Sequence, residues 1–157
     1  MKKVLIALMV VCTICAISVF ANAAAKPGFD DKEIRIAQWG PQTGPAAPWG
    51  SVARGSGLLF QLVNDEGGIH GRKIKYFIRD DQYNPAQTKA VVKELVEREG
   101  IFAFVGGVGA ACGMAVKDYL SQNKIVWVSP STAIDEYVFP VNPYIFAMYP
   151  LYDDEAS

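Results

Sequence analysis

The sequence has few of the side chains that build metal centres and nucleophilic active sites. It contains one histidine, His70, and three cysteines among 157 residues. Cys12 and Cys15 lie in an apolar N-terminal run, so the remaining chain has one cysteine, Cys112. A disulfide needs a pair of cysteines, and zinc sites are clusters of cysteine and histidine. The composition therefore excludes an internal disulfide in the remaining chain and gives no support to a metal site.

An excess of charge of one sign is also absent. The chain has 15 basic and 16 acidic residues, a net charge of −1. Without Lys2 and Lys3, 13 basic residues stand against 16 acidic ones, a net charge of −3. Proteins that bind nucleic acids or anionic membranes carry basic patches. We therefore expect neither of these as a partner.

The N-terminal segment has the pattern of a secretory signal peptide. Two lysines are followed by an apolar run over residues 4–20 and then by small residues with an A-x-A site. We predict that residues 1–23 form a signal peptide, cleaved after Ala23 and directing the protein to the periplasm. Cleavage after Ala25 is the alternative site, and an uncleaved transmembrane anchor is the competing interpretation.

Residues 24–157 show a regular alternation of predicted strands and helices and are long enough for one domain. Short β-branched or aromatic runs predict strands at 33–39, 73–79, 101–105, 125–128 and 144–148. Three helices are predicted between the first four strands, the first over 51–66, and a loop with several prolines is predicted between the fourth and fifth strands. This alternation indicates an α/β fold with a parallel sheet covered by helices on both faces. Right-handed crossovers favour the flavodoxin-like strand order 2-1-3-4-5.

Apolar periodicity predicts which face of each helix is buried. The predicted buried residues are Val52, Leu59, Phe60 and Val63 in the first helix, Val91, Val92, Leu95 and Val96 in the second, and Ala111, Ala115, Val116, Tyr119 and Leu120 in the third. Gly55 and Gly57 indicate close packing of the first helix on the sheet. Asn84 is the predicted N-cap of the second helix, with Gln87 placed to close a capping box.

Two turns and one loop mark the expected ligand site. The glycine-rich turn at 106–112 follows the third strand, and the hydroxyl-rich turn at 129–132 follows the fourth. Parallel α/β sheets bind ligands at the carboxyl ends of their strands, near the point where the strand order reverses. The loop that follows the first strand and carries Trp49 would flank the same crevice. Trp49 either faces a ligand or covers the core.

The glycine-rich turn places backbone N–H groups at a helix N-terminus, an arrangement that suits a carboxylate or phosphate. It resembles a dinucleotide fingerprint only in part, because Cys112 replaces the third glycine. Binding of a small anion is the preferred interpretation, and a tight turn without a ligand remains open.

An enzymatic interpretation finds little support in the remaining polar residues. A Cys112–His70 dyad is excluded, because the predicted fold places the two residues at opposite ends of the sheet. Cys112 is expected to be a small apolar residue lining the site, and His70 a solvated turn residue. Asp80 and Asp81 are expected to cap a turn rather than to form a phosphoacceptor pocket.

The chain resembles the leucine/isoleucine/valine-binding family of periplasmic solute receptors, the type I binding proteins of branched-chain amino acid ABC transporters. The matching stretches are TGPAAPWG at 43–50, NDEGGIHGRKI at 64–74, DDQYNPAQT at 80–88, FVGGVGAA at 104–111 and VSPSTA at 128–133. The resemblance implies two hinged α/β lobes that close on a small ligand, a membrane permease as partner, no cofactor and no enzymatic activity.

The resemblance also implies roles for individual residues. Trp49 would stack against the ligand's side chain, and Tyr149 would line the same cleft. The ligand's polar groups would be bound by backbone N–H groups of the turn at Gly109, Ala110 and Ala111, and by the hydroxyls of Ser131 and Thr132. Members that bind amino acids typically have serine at the position of Ala111, so one hydrogen bond to the carboxylate is missing, at a cost of about 1 kcal/mol.

The length of the chain differs from that of the family, because only the N-terminal lobe is present. We expect the sequence to be a fragment of a two-lobed receptor, and we expect residues 24–157 alone to bind a ligand weakly at best. The expected function is capture of an amino acid or a related small carboxylate or amide for import. The alternative is an exported lobe that senses a ligand and signals to a partner protein.

Overall fold

The computed structural model describes residues 28–157, so the predicted signal peptide lies outside the described residues. The strands are β1 (Glu33–Trp39), β2 (Lys73–Arg79), β3 (Ala103–Val105), β4 (Val126–Val128) and β5 (Ile145–Phe146). The helices are α1 (Ser51–Asp65), α2 (Pro85–Glu94), α3 (Ala110–Gln122) and α4 (Tyr152–Glu155). Short 3-10 turns span Ala47–Gly50 and Asp135–Tyr137, and a π-helical turn, Leu95–Glu99, continues α2. No helix within residues 28–157 has the length and apolarity to cross a bilayer.

The five strands form one parallel sheet in the order β2-β1-β3-β4-β5, which confirms the predicted flavodoxin-like order. Side chains alternate between the faces of a sheet, so the register assigns each residue to a face. Phe104 pairs with Ala37 on one side and Trp127 on the other, and all three belong to the core under α2 and α3. The opposite face carries Tyr76, which contacts α1 through the ring of Phe60.

Coverage of the α1 face is uneven. Helix α1 packs on β2, at one edge of the sheet. On the same face, Val105, Val126 and Val128 of β3 and β4 are only half-buried, and Phe146 of β5 is exposed. The described part of the chain therefore leaves the α1 face over β3–β5 partly open, whereas the α2–α3 face is sealed.

The predicted buried face of α1 is partly wrong. Its one fully buried residue is Ala53, while Val52 and Leu59 are exposed. An added Cβ at Gly57 would lie 3.5 Å from the Tyr76 ring, so Gly57 does sit against the sheet. An added Cβ at Gly55 would meet nothing within 4 Å, so Gly55 faces away from it. The small residues Ala53 and Gly57 allow the closest approach and so centre the contact. Phe60 packs on Tyr76 beside them, whereas Leu59 is turned outwards.

Helix α2 follows the prediction closely. The Asn84 side-chain oxygen accepts hydrogen bonds from the N–H groups of Ala86 and Gln87, at 2.9 and 3.3 Å, and therefore caps the helix. The capping box is not formed, because the Gln87 amide donates to the side chain of Gln82 instead. Val92, Leu95 and Val96 are buried as predicted.

Helix α3 begins at Ala110, and its buried face is shifted from the predicted one, which began at Ala111. Its buried residues are Cys112, Gly113, Val116 and Leu120, and Ala111 is exposed. The centre of the buried face therefore lies closer to Cys112 and Gly113 than the predicted stripe. The reason is local, because Gly113 lets the helix lie directly on two aromatic rings.

These rings belong to a buried aromatic cluster. Trp127 lies 4.9 Å from both Trp39 and Tyr137, measured between ring centroids. A Cβ added to Gly113 would lie 1.9 Å from the Tyr137 hydroxyl oxygen and 2.7 Å from a ring carbon of Trp127. Added to Gly107, it would lie 2.6 Å from the Trp39 ring. Only glycine fits at these positions without displacement of a buried ring.

The cluster also holds the backbone above it through polar atoms. Trp127 Nε1 donates a hydrogen bond to the carbonyl oxygen of Gly106 at 2.6 Å. The Tyr137 hydroxyl donates to the carbonyl oxygen of Ala110 at 3.1 Å. Burial raises the pKa of Tyr137, which keeps its hydroxyl protonated as the donor. The aromatic cluster therefore fixes the turn before α3 and the first turn of the helix.

Substitution of Gly113 by alanine tests this contact. We expect Gly113→Ala to lower the free energy of unfolding by about 2 kcal/mol, because the methyl group forces a buried ring to move. The matched control, Gly57→Ala, adds a methyl group to a helical glycine with room for it and is expected to raise stability by about 0.5–1 kcal/mol. Urea unfolding followed by circular dichroism measures both. Equal effects of the two substitutions would contradict the packing described here.

Candidate functional site

The candidate site lies at the carboxyl ends of the central strands. The turns that follow β3 and β4 are joined directly, because the Ser131 N–H donates to the Gly107 carbonyl oxygen at 3.0 Å. Val108 and Ser131 form an isolated parallel bridge. The predicted juxtaposition of the glycine-rich and hydroxyl-rich turns is therefore present.

A cavity of about 300 Å³ opens beside the two joined turns. Four of the residues expected at a ligand site, Trp49, Ser131, Thr132 and Tyr149, line it together. The sequence interpretation did not include the other lining residues, which are Val52, Val108, Ala133, Tyr152 and Glu155. The wall thus combines aromatic and small apolar surface with the aliphatic hydroxyls of Ser131 and Thr132 and one carboxylate, a composition typical of small-molecule sites.

The other three expected residues lie next to this cavity rather than in its lining. Gly109 is the N-cap residue of α3, at φ 100°, and no side chain caps the helix. Ala110 and Ala111 form its first turn and follow Val108, which does line the cavity. The first N–H groups of a helix have no acceptor within it, so they remain available to a ligand.

Thr132 offers a hydroxyl group to the cavity. The residue is only 7% exposed, and its side chain has no hydrogen-bond partner within residues 28–157. Among the described residues, the one fully buried side-chain polar atom without a partner is Trp39 Nε1, so the Thr132 hydroxyl is open to the cavity rather than sealed in the core. A polar group of a ligand in the cavity is a suitable partner. Thr132 therefore presents a free hydroxyl in the cavity wall.

A residue that the sequence interpretation missed, Tyr83, lies over the N-terminus of α3. An added Cβ at Gly109 would be 2.9 Å from the Tyr83 ring, and the ring is about half exposed. Gln82 and Tyr83 both adopt positive φ, 52° and 60°. Nothing in the local sequence signals this, because consecutive left-handed residues other than glycine are uncommon.

The two aspartates before this turn hold it in place, as predicted. Asp80 accepts a hydrogen bond from the Gln82 N–H and Asp81 from the Tyr83 N–H, at 2.9 and 3.0 Å. The fully buried Asp81 also accepts from the Thr88 hydroxyl at 2.7 Å. The carboxylates thus satisfy the backbone of a strained turn.

Asp80 also anchors the loop that leads to Trp49. It accepts hydrogen bonds from the Gln42 N–H at 2.8 Å and the Thr43 hydroxyl at 2.5 Å. Partial burial acts to raise the pKa of Asp80, but these bonds outweigh it, so the pKa lies below its usual value. The ionised carboxylate therefore ties the loop after β1 to the end of β2.

The expectation for Cys112 is partly wrong. Cys112 is buried in the core cluster and does not line the cavity. Burial raises the pKa of its thiol, and the negative charge of Asp81 acts in the same direction. His70 lies exposed in the turn before β2, at the other end of the sheet, which confirms that the two residues form no dyad. No group of metal-binding side chains occurs among residues 28–157.

Known proteins share this sequence pattern. A family described as "Periplasmic binding protein" matches residues 33–157. The leucine-, isoleucine-, valine-, threonine- and alanine-binding protein of Pseudomonas aeruginosa is 31% identical over 104 residues, which cover 66% of this chain and 28% of the relative. Leu/Ile/Val-binding protein homolog 3 of Brucella melitensis is 33% identical over 100 residues, or 63% of this chain and 27% of the relative. The matched part is thus between a quarter and a third of each relative's length.

Solved structures share the fold. A fatty acid ABC transporter substrate-binding protein from Thermomonospora curvata superposes with a TM-score of 0.71 and 27% identity, over 84% of this chain and 33% of that one. The branched-chain amino acid transporter substrate-binding protein of Streptococcus pneumoniae was solved with isoleucine. It superposes with a TM-score of 0.70 and 24% identity, over 76% of this chain and 34% of that one. The relatives are solute-binding proteins and not enzymes. Taken with the sheet order, these matches show that the chain belongs to the periplasmic binding protein family.

Proposed function

We propose that this chain is the N-terminal ligand-binding lobe of a periplasmic solute receptor, which captures an amino acid of the branched-chain type, or a related small carboxylate or amide, for an ABC permease. The observation that carries the proposal is the cavity wall itself, in which the hydroxyls of Ser131 and Thr132 lie together with the exposed ring of Trp49. The names of the relatives, several of which bind branched-chain amino acids or serve ABC transporters, support the same class.

The proposed roles follow from the chemistry of the wall. The hydroxyls of Ser131 and Thr132 and the N–H groups of the first turn of α3 would bind the ligand's carboxylate or amide oxygens. Trp49 and Tyr149 would cover its apolar part. Glu155 is the one charged residue lining this cavity, and its carboxylate suits the ammonium group of an amino acid.

The cavity wall is open to solvent on one side. Trp49 is 65% exposed, and Tyr149 is exposed as well. Good ligand sites bury most of the ligand's surface, so a single wall binds weakly. We propose that a second lobe closes over this wall in the complete receptor, and that residues 24–157 alone bind a ligand with about millimolar affinity.

The Thr132 hydroxyl can be tested by an isosteric substitution. We expect Thr132→Val to weaken the binding of leucine or isoleucine about tenfold, because one hydrogen bond to the ligand is lost. Thr132→Ser keeps the hydroxyl and is expected to bind like the unmodified chain. Titration followed by NMR chemical shifts measures both at millimolar ligand concentrations.

The same variants separate a ligand contact from a structural role. Without ligand, Thr132→Val should be as stable as the unmodified chain or more stable, because the hydroxyl has no partner in the protein. A clear loss of unfolding free energy in the valine variant, with unchanged affinity, would show that the hydroxyl serves the fold and not the ligand.

Trp49 provides an independent optical test. Trp39 and Trp127 are buried, so quenching of tryptophan fluorescence by iodide reports mainly on Trp49. We expect saturating leucine or isoleucine to protect Trp49 from iodide, and Trp49→Phe to abolish the change. Benzoate, a carboxylate without an ammonium group, shows whether the amino group is required. If none of these compounds changes the quenching, Trp49 does not face the ligand.

Export and the number of lobes are tested by the intact mass of the native protein in the periplasmic fraction. We expect cleavage after Ala23. A mass equal to that of residues 24–157 would make capture of a solute by a closed receptor untenable. A mass of about twice that value or more would show that a second lobe exists, and absence from the periplasm would contradict the signal peptide.

A further inference from the structure

The side of α1 that faces away from the sheet is apolar. Leu58, Leu59 and Leu62 are 71%, 59% and 55% exposed. With Gly55 they follow the spacing i, i+3, i+4, i+7, which places all four on one side of the helix. These four residues are called the outer stripe. The opposite side of α1 already contacts the sheet through Ala53.

A helix on the surface of an α/β domain normally has polar residues on its outer side. Single exposed apolar residues are ordinary, but a contiguous apolar patch marks a contact surface. Helix α1 has an apolar outer stripe in addition to its sheet-facing side. The outer stripe therefore requires an explanation beyond the packing of this domain.

We propose that the outer stripe is a self-association surface, on which α1 of a second copy of the chain packs antiparallel about a two-fold axis near Leu58 and Leu59. Such an axis places Gly55 of each copy opposite Leu62 of the other. A Cβ added to Gly55 would meet no atom within 4 Å, so the glycine leaves an open gap for a leucine side chain. An isologous interface requires this kind of self-complementarity.

The charges beside the outer stripe favour the same arrangement. Arg54 and Asp65 lie on the same flank, about 16 Å apart along the helix axis. In the antiparallel pair, Arg54 of each copy comes level with Asp65 of the other to within about 3 Å along the axis. A parallel pair would place the charged flanks on opposite sides. Arg54 donates to the Gln42 side chain at 2.9 Å, and the Asp65 side chain has no hydrogen-bond or ion-pair partner within residues 28–157.

The size of the outer stripe sets the expected affinity. Helix α1 has 15 residues and is therefore about 22 Å long, and a helix is about 10 Å across. The contact is smaller than the standard interface of about 800 Å² per partner. The dimer is therefore weak, with a dissociation constant of about 10–100 μM, which is reached in concentrated solution.

Sedimentation equilibrium of the full chain, purified from the periplasm after expression of the complete sequence, tests the proposal. Between about 1 and 500 μM, the average mass should rise from monomer towards dimer. Leu58→Glu and Leu62→Glu should each abolish the rise. The matched control is Val141→Glu, which introduces the same charge at an apolar residue that is 84% exposed elsewhere on the surface and should leave the rise unchanged.

Charge exchange tests the antiparallel geometry. Arg54→Asp or Asp65→Arg alone places like charges at both ends of the pair and should weaken the dimer about tenfold. The double variant restores opposite charges and should dimerise like the unmodified chain. Restoration by a second substitution cannot result from misfolding, and circular dichroism confirms that each variant is folded.

Two results would overturn the proposal. A chain that stays monomeric at the highest concentration would assign the outer stripe to a further segment of a longer protein or to another partner. A dimer that persists in Leu58→Glu, or that the double charge exchange fails to restore, would place the interface elsewhere or in another orientation.

Discussion

The structure depends on the direct contact between glycine backbone and buried aromatic rings. Gly107 lies against Trp39, and Gly113 lies against Tyr137 and Trp127, at distances that leave no room for a side chain. Cores tolerate added volume poorly, because their packing is already dense. The turn after β3 and the N-terminus of α3 are therefore held at a fixed height above the sheet.

That fixed height makes a site possible at the carboxyl ends of the strands. The backbone of Gly107 accepts the hydrogen bond from Ser131 that joins the two turns. The joined turns present the hydroxyl of Thr132 and the open N–H groups of α3 on one side, and the loop that Asp80 anchors brings Trp49 to the same cavity. The rigid core thus supports a wall that is itself exposed, as the proposed closure by a second lobe requires.

Helix α1 lies at the boundary between this rigid core and the surface. Its sheet-facing side combines the small residues Ala53 and Gly57 with the ring of Phe60, whereas three leucines point away from the domain: Leu58, Leu59 and Leu62. The sheet face beside it is only partly covered over β3–β5. Both features leave apolar surface open on the described lobe, and the positions of Arg54 and Asp65 support the proposed self-association.

The sequence by itself determined the alternation of strands and helices, the sheet order and the place of the candidate site. Strand β1 and helix α2 were predictable because alternating apolar residues and the Asn84-Pro85 cap act over a few neighbouring positions. The resemblance to a known family named four residues as site residues, and the structure places all of them in the wall of one cavity: Trp49, Ser131, Thr132 and Tyr149. These features depend on local chemistry and on a recurring topology.

Only the tertiary structure decided which side of α1 is buried, that Cys112 belongs to the core and that Tyr83 lies over the N-terminus of α3. Periodicity identifies an apolar face, but when a helix has two, the sheet selects the one that permits the closest approach. The position of Tyr83 depends on left-handed backbone that the buried Asp81 stabilises through a hydrogen bond. Contacts between residues distant in sequence decide such features, and no local pattern encodes them.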